Sequence, residues 1–142
     1  KFNEGPPPEV NLFNEKNNGL SIQSIIKKRL VTAVHDISAG GLIVALSEMC
    51  MAGNIGAKIK IPNASIDSHR YFFGEDQSRY LLEINEKYIA EVSNILEQNN
   101  VYFEIIGKTQ KDCLDINKEF NINLNDLNKL NSFWFDNYFN ES

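Results

Sequence analysis

The chain has 142 residues, enough for a domain with its own core. Apolar residues at 42% and charged residues at 23% describe a folded chain rather than a disordered one. A formal charge of −5 argues against the broad basic face used in nucleic-acid binding, and no run of about 18 apolar residues offers a membrane span.

Residue 1 is Lys rather than Met, so the expectation is a piece of a longer protein. Residues 1–19 read as a Pro-rich linker and entry segment, because Pro6-Pro7-Pro8 continues neither a helix nor a central strand. Residues 20–142 read as a single domain. Leu20 to Leu30 is predicted as a short helix, with Ile22, Ile25 and Ile26 at helical spacing and Lys27-Lys28-Arg29 at its C-terminal end. Val31 to His35 is predicted as a buried strand. Ser38 offers an N-cap to a helix in which Leu42, Ala45, Leu46, Met49 and Cys50 share a face, with Gly53 as its stop. Ala57 to Ile61 alternates like a half-exposed strand closed by Pro62, and Arg79 to Ile84 places Tyr80, Leu82 and Ile84 on one strand face. Lys87 to Gln98 is an amphipathic helix. Val101 to Ile106 reads as a strand, Gly107 to Asp112 as a turn, and Cys113 to Ile116 and Phe120 to Leu124 as short strands. Asp126 to Phe139 closes the chain as a helix striped with Leu127, Leu130, Trp134 and Tyr138. Its aromatic residues cover more than one face, which implies docking on the core or on a further domain. Strands and helices mix without strict alternation, so the order favours an α+β sheet covered by helices.

Two segments have the residues for chemistry. His35-Asp36-Ile37-Ser38-Ala39-Gly40-Gly41-Leu42 joins a strand to a helix, where free N–H groups and a positive dipole end suit a phosphate. Asp36 and Ser38 there can bind a ligand, hold a hydrated Mg²⁺, or cap the helix, while Gly40 and Gly41 allow close approach. Phe72-Phe73-Gly74-Glu75-Asp76-Gln77-Ser78-Arg79 precedes a strand. Glu75 and Gln77 can meet the polar edge of a ligand, and Arg79 can pair with a carboxylate or phosphate; a solvated loop is the alternative. His35 has no second His or Cys nearby at ligand spacing, His69 lies in a polar stretch with Asp67 and Arg70 and is expected to be exposed, Cys50 belongs to an apolar helix face, and Cys113 has no activating signature. The two cysteines form no disulfide framework, and the expected setting is a reducing cytoplasm.

His-Asp-Ile-Ser-x-Gly-Gly-Leu followed by Val44-Ala45-Leu46-Ser47-Glu48-Met49 resembles the last domain of the formylglycinamide ribonucleotide amidotransferases. That domain belongs to the aminoimidazole ribonucleotide synthetase C-terminal-like superfamily. Phe73-Gly74-Glu75-Asp76-Gln77-Ser78-Arg79 is similar to its second signature, with Asp76 where Ser is usual. The resemblance covers essentially the whole chain and implies an α+β, three-layer α/β/α domain with a mixed sheet. It implies a ligase of purine biosynthesis that uses ATP, Mg²⁺ and glutamine-derived ammonia, with ATP phosphorylating the substrate's amide oxygen before ammonia displaces phosphate. The implied partners are the N-terminal ATP-binding domains of the same parent chain and a glutaminase subunit or domain, with neither nucleic acid nor membrane. The chain alone is expected to be inactive and to need no cofactor, and its open partner face leaves room for a homodimer. No catalytic and no metal residue is assigned. Asp36, Ser38, Gly40, Gly41, Glu75, Gln77 and Arg79 are expected at a nucleotide or substrate site or at a domain interface. The rival readings are another ATP-dependent member of the same superfamily and a non-catalytic binding module.

Overall fold

The computed structural model describes residues 9–60, 67–116 and 119–140, apart from the side chains of 136 and 140. The prolines of the expected linker, and Ile61 and Pro62, lie outside the described residues. The elements are α1 (Leu12–Lys27), β1 (Ala33–Asp36), α2 (Gly41–Gly53), β2 (Gly56–Ile59), α3 (Ser68–Phe73), β3 (Tyr80–Glu83), α4 (Ile89–Gln98), β4 (Gly107–Gln110), β5 (Cys113–Ile116), β6 (Phe120–Asn123) and α5 (Leu124–Asn140). A 3-10 turn over Glu86–Tyr88 leads into α4. The fold is α+β with a mixed sheet, and the chain divides into two compact units, Lys1–Ala45 with Phe73–Phe103, and Leu46–Phe72 with Glu104–Ser142.

In the first unit, α1 starts eight residues before the expected Leu20, so residues 12–19 are helix rather than entry segment. The signal is a cap: the Asn11 side chain accepts hydrogen bonds from the N–H groups of Phe13 and Asn14, both at 3.1 Å. The following Asn-Glu-Lys-Asn-Asn-Gly run has no apolar periodicity, which hides the helix from a pattern search. β1 pairs antiparallel with β3, Ala33 opposite Glu83 and Asp36 opposite Tyr80. Ile25, Leu30, Val92, Ile95, Leu96 and Val101 form the core of this unit, with Leu82, Ile84, Tyr88 and Phe103 packed against it.

Three helices end in the same way, with a residue other than glycine in the left-handed conformation. After α1, Arg29 has φ 57°, and the N–H groups of Arg29 and Leu30 return to the carbonyls of Ile26 and Ile25. Asn54 after α2 (φ 47°) and Asn100 after α4 (φ 53°) repeat the pattern, Ile55 bonding to Cys50 and Val101 to Leu96. These are Schellman closures, which satisfy the last carbonyls of a helix. Gly53 is the last residue of α2, and Asn54 makes the left-handed turn. Val101 is therefore a buried closing residue of a helix, and the expected strand over Val101–Ile106 is absent.

The second unit holds a four-stranded sheet in the order β4-β2-β5-β6. β2 runs antiparallel to β4 and parallel to β5, and β5 runs antiparallel to β6. Gly107 to Gln110, expected as part of a turn, is thus a strand. Gly107 faces Ile59 so closely that a Cβ would run into the carbonyl oxygen of Lys58. β4 and β5 are separated by only Lys111 and Asp112, yet they do not pair, because β2 lies between them. The link wraps the start of β2 at Gly56, whose N–H donates to the Lys111 carbonyl at 2.8 Å and whose missing Cβ leaves room for the carbonyls of Lys111 and Cys113. Ile59, Leu114 and Ile116 are buried in this sheet, and Lys58 pairs with Asp115 on its exposed side at 2.9 Å. α3 occupies Ser68–Phe73, a stretch that carried no helix prediction; its residue Phe72 is buried.

Candidate functional site

Antiparallel pairing of β1 with β3 brings the two signature segments together. Asp36 at the end of β1 lies opposite Tyr80 at the start of β3, and the next residue, Ile37, donates its N–H to the Arg79 carbonyl at 2.9 Å. Residues 36–39 and 75–80 thereby line one cavity of about 350 Å³, to which α1 adds Glu15. All of it belongs to the first unit.

The loop after β1 turns through Gly40 (φ 81°) and Gly41 (φ 70°) into α2. A Cβ at Gly40 would collide with the Val44 side chain, so both conformation and space demand glycine there. Gly41 donates to the Ser38 carbonyl at 3.0 Å, closing a turn that runs straight into α2. Gly40 donates its N–H to Glu75 Oε1 at 2.7 Å. That bond joins the two segments directly: the place at the α2 N-terminus that attracts an anion is taken by the chain's own carboxylate.

Arg79 is engaged on the same wall. Its Nη1 donates to the Gly74 carbonyl at 3.1 Å and lies 3.7 Å from the Asp76 carboxylate. Ser78 holds a left-handed backbone (φ 63°); its carbonyl accepts a hydrogen bond from Asn18 Nδ2 at 3.0 Å, which pins the loop to α1. Asp36, Ser38 and Gln77 are exposed. The sequence-expected residues Asp36, Ser38, Glu75, Gln77 and Arg79 thus line one cavity, and Gly40 and Gly41 shape its loop. Glu15 and Asn18 escaped sequence reasoning because they sit in the unpatterned start of α1.

The wall carries the carboxylates of Glu15, Asp36, Glu75 and Asp76 against one guanidinium, Arg79. Such a balance repels a bare phosphate and suits a cationic or neutral polar partner. The other candidates do not line this cavity. His35 Nδ1 is 2.5 Å from the Asp36 carbonyl oxygen, His69 is exposed, Cys50 is buried in α2, and Cys113 Sγ lies 3.1 Å from Gln110 Nε2. Among the described residues no group of three or more His, Cys, Asp or Glu side chains is placed to hold a metal ion.

Residues 2–116 match the family model of the AIR synthase related protein, C-terminal domain. The chain belongs to that family. This AIR synthase-type domain is 44% identical over 134 residues to the phosphoribosylformylglycinamidine synthase subunit PurL of Pelagibacter ubique, covering 94% of the chain and 18% of that relative. It is 40% identical over 135 residues to the same subunit of Rhodopseudomonas palustris, covering 95% of the chain and 18% of the relative. It therefore spans less than a fifth of the curated relatives it matches. Among solved structures, phosphoribosylformylglycinamidine synthase II of Thermotoga maritima shares the fold with a TM-score of 0.73 at 16% identity, covering 84% of this chain and 22% of that one. The protein tt0281 of Thermus thermophilus matches at a TM-score of 0.54 and 11% identity, covering 81% of this chain and 51% of its own.

Proposed function

We propose that this domain is the C-terminal module of a phosphoribosylformylglycinamidine synthase, a cytoplasmic ligase that makes formylglycinamidine ribonucleotide from formylglycinamide ribonucleotide, ATP and glutamine-derived ammonia. The observation that carries the reading is the 44% identity across 94% of the chain to a subunit with that name. The module begins no later than α1 at Leu12 rather than at the expected residue 20, and the N-terminal ATP-binding domains of the same parent chain and a glutaminase subunit or domain are its partners.

The cavity supports a contact role for Asp36, Ser38, Gly40, Gly41, Glu75, Gln77 and Arg79, at the interface with a neighbouring domain. ATP does not fit this wall as a direct ligand, and its Mg²⁺ goes with it: Glu75 already occupies the Gly40 N–H, Arg79 is paired with Asp76, and four carboxylates face a phosphate there. Both belong to the rest of the parent enzyme. A Thermotoga maritima PurL with the same fold is described in complex with ATP, which fits that division of labour.

The test is a chimera in which this chain replaces the matching segment of the Pelagibacter ubique subunit, supplied with ATP, formylglycinamide ribonucleotide and ammonium. The chimera should form the amidine at a rate comparable to the unmodified subunit, and the isolated chain should turn over no ATP. A folded, ATP-binding chimera that makes no amidine would refute the reading.

A further inference from the structure

α5 is covered at its start and bare beyond it. Leu124 is buried and Leu127 and Asn128 are half-buried, but every described side chain from Lys129 to Phe139 is exposed. Leu130, Phe133, Trp134 and Phe135 are 57–66% exposed. The rings are ordered among themselves, Trp134 stacked on Tyr138 at 5.9 Å and Phe135 against Phe139 at 4.7 Å. An isolated helix shorter than about 12–15 residues is marginal in water, so a bare stretch of this length is stabilised by packing against something else. Its apolar arc is also wider than the roughly 100° stripe of a helix with one wet side.

The chemistry narrows the occupant. From Lys129 to Asn140 the helix carries one Lys and one Asp, without the basic residues that seat a helix on an anionic membrane. An aromatic, nearly uncharged face is the composition of a permanent interface rather than a transient one. The match to the general family ends at residue 116, before α5 begins. The match to the synthase relative runs over 134 of the 142 residues, so it reaches Trp134. The helix therefore goes with the long synthases, of which this chain makes up 18%.

We infer that the aromatic face of α5 is the seat of another domain of the same synthase chain, held through Leu130, Phe133, Trp134 and Phe135. The inference rests on the proposed function and adds the surface through which this module joins its parent. Trp134 is the single tryptophan of the chain.

Hydroxyl-radical footprinting of the isolated chain and of the active chimera tests it. Trp134 and Phe133 should oxidise severalfold more slowly in the chimera. Trp134→Gln should leave the thermal midpoint of the isolated chain unchanged, and in the chimera should restore oxidation of Phe133 and Phe135 to the isolated-chain rate. Equal oxidation of Trp134 in the isolated chain and in an active chimera overturns the docking surface and leaves the proposed function standing. A folded, ATP-binding chimera that makes no amidine overturns the proposed function instead. A dimer of the isolated chain with Trp134 already protected makes a second copy the occupant, and overturns the inference as well.

Discussion

Glu75 joins two sequence-distant segments through one bond, from the Gly40 N–H to its carboxylate. The bond is charge-assisted but lies on an exposed side chain, so its contribution is modest. Glu75→Ala is expected to destabilise the chain by about 1 kcal/mol, read as a lower urea midpoint at unchanged slope. The presence of Glu75 and Arg79 in a loop before a strand was legible from residue types. A surface ion pair was among the readings weighed for Arg79; that Glu75 would meet the Gly40 N–H was not legible, because nothing in the sequence tells which N–H a side chain will meet. The Asp76 carboxylate faces Arg79 Nη1 at 3.7 Å.

The elements differ in how openly the sequence announces them. α2 and α4 were legible because their apolar residues recur at helical spacing, and β2, β3, β5 and β6 because short alternating runs lie between turn residues. The start of α1 was not legible, since an Asn cap and a polar first turn look like linker, and β4 was read as a turn because it is short, polar and begins with glycine. The end of α1 was misread: the expected helix ran on to Leu30, whereas α1 stops at Lys27 and Arg29 turns left-handed, while α2 and α4 end at the expected Gly53 and Gln98. Arg29 bears the strain of that conformation without a compensating side-chain role in the closure, so Arg29→Gly should gain roughly 1 kcal/mol in a denaturant melt. In the sheet, hydrogen bonding and charge from Asp115 hold the Lys58 amine above its ordinary 10.5. A group raised on folding stabilises fully below its unfolded value and loses that contribution as pH climbs through the folded one. The difference in thermal midpoint between the parent and Lys58→Met should accordingly persist at neutral pH and vanish only above 10.5.

For the molecule as a whole, residues beyond Asn128 contribute little to the chain on its own. Deleting 129–142 should shift its unfolding free energy by no more than about 0.5 kcal/mol in a thermal melt, since the described side chains removed are all exposed. The α+β class was legible from the mixture of patterns, and strand order was not: a sequence that places β4 and β5 two residues apart looks like a hairpin, and only the fold reveals the strand inserted between them. That insertion bears on how the protein reaches its native state. β2 leaves a ribosome about fifty residues ahead of both of its neighbours, and β4 and β5 cannot close on one another without shutting it out. The sheet must wait for a long loop to close, so its assembly should be the slow step of refolding, with β2 an unpaired edge open to aggregation until the last strands arrive.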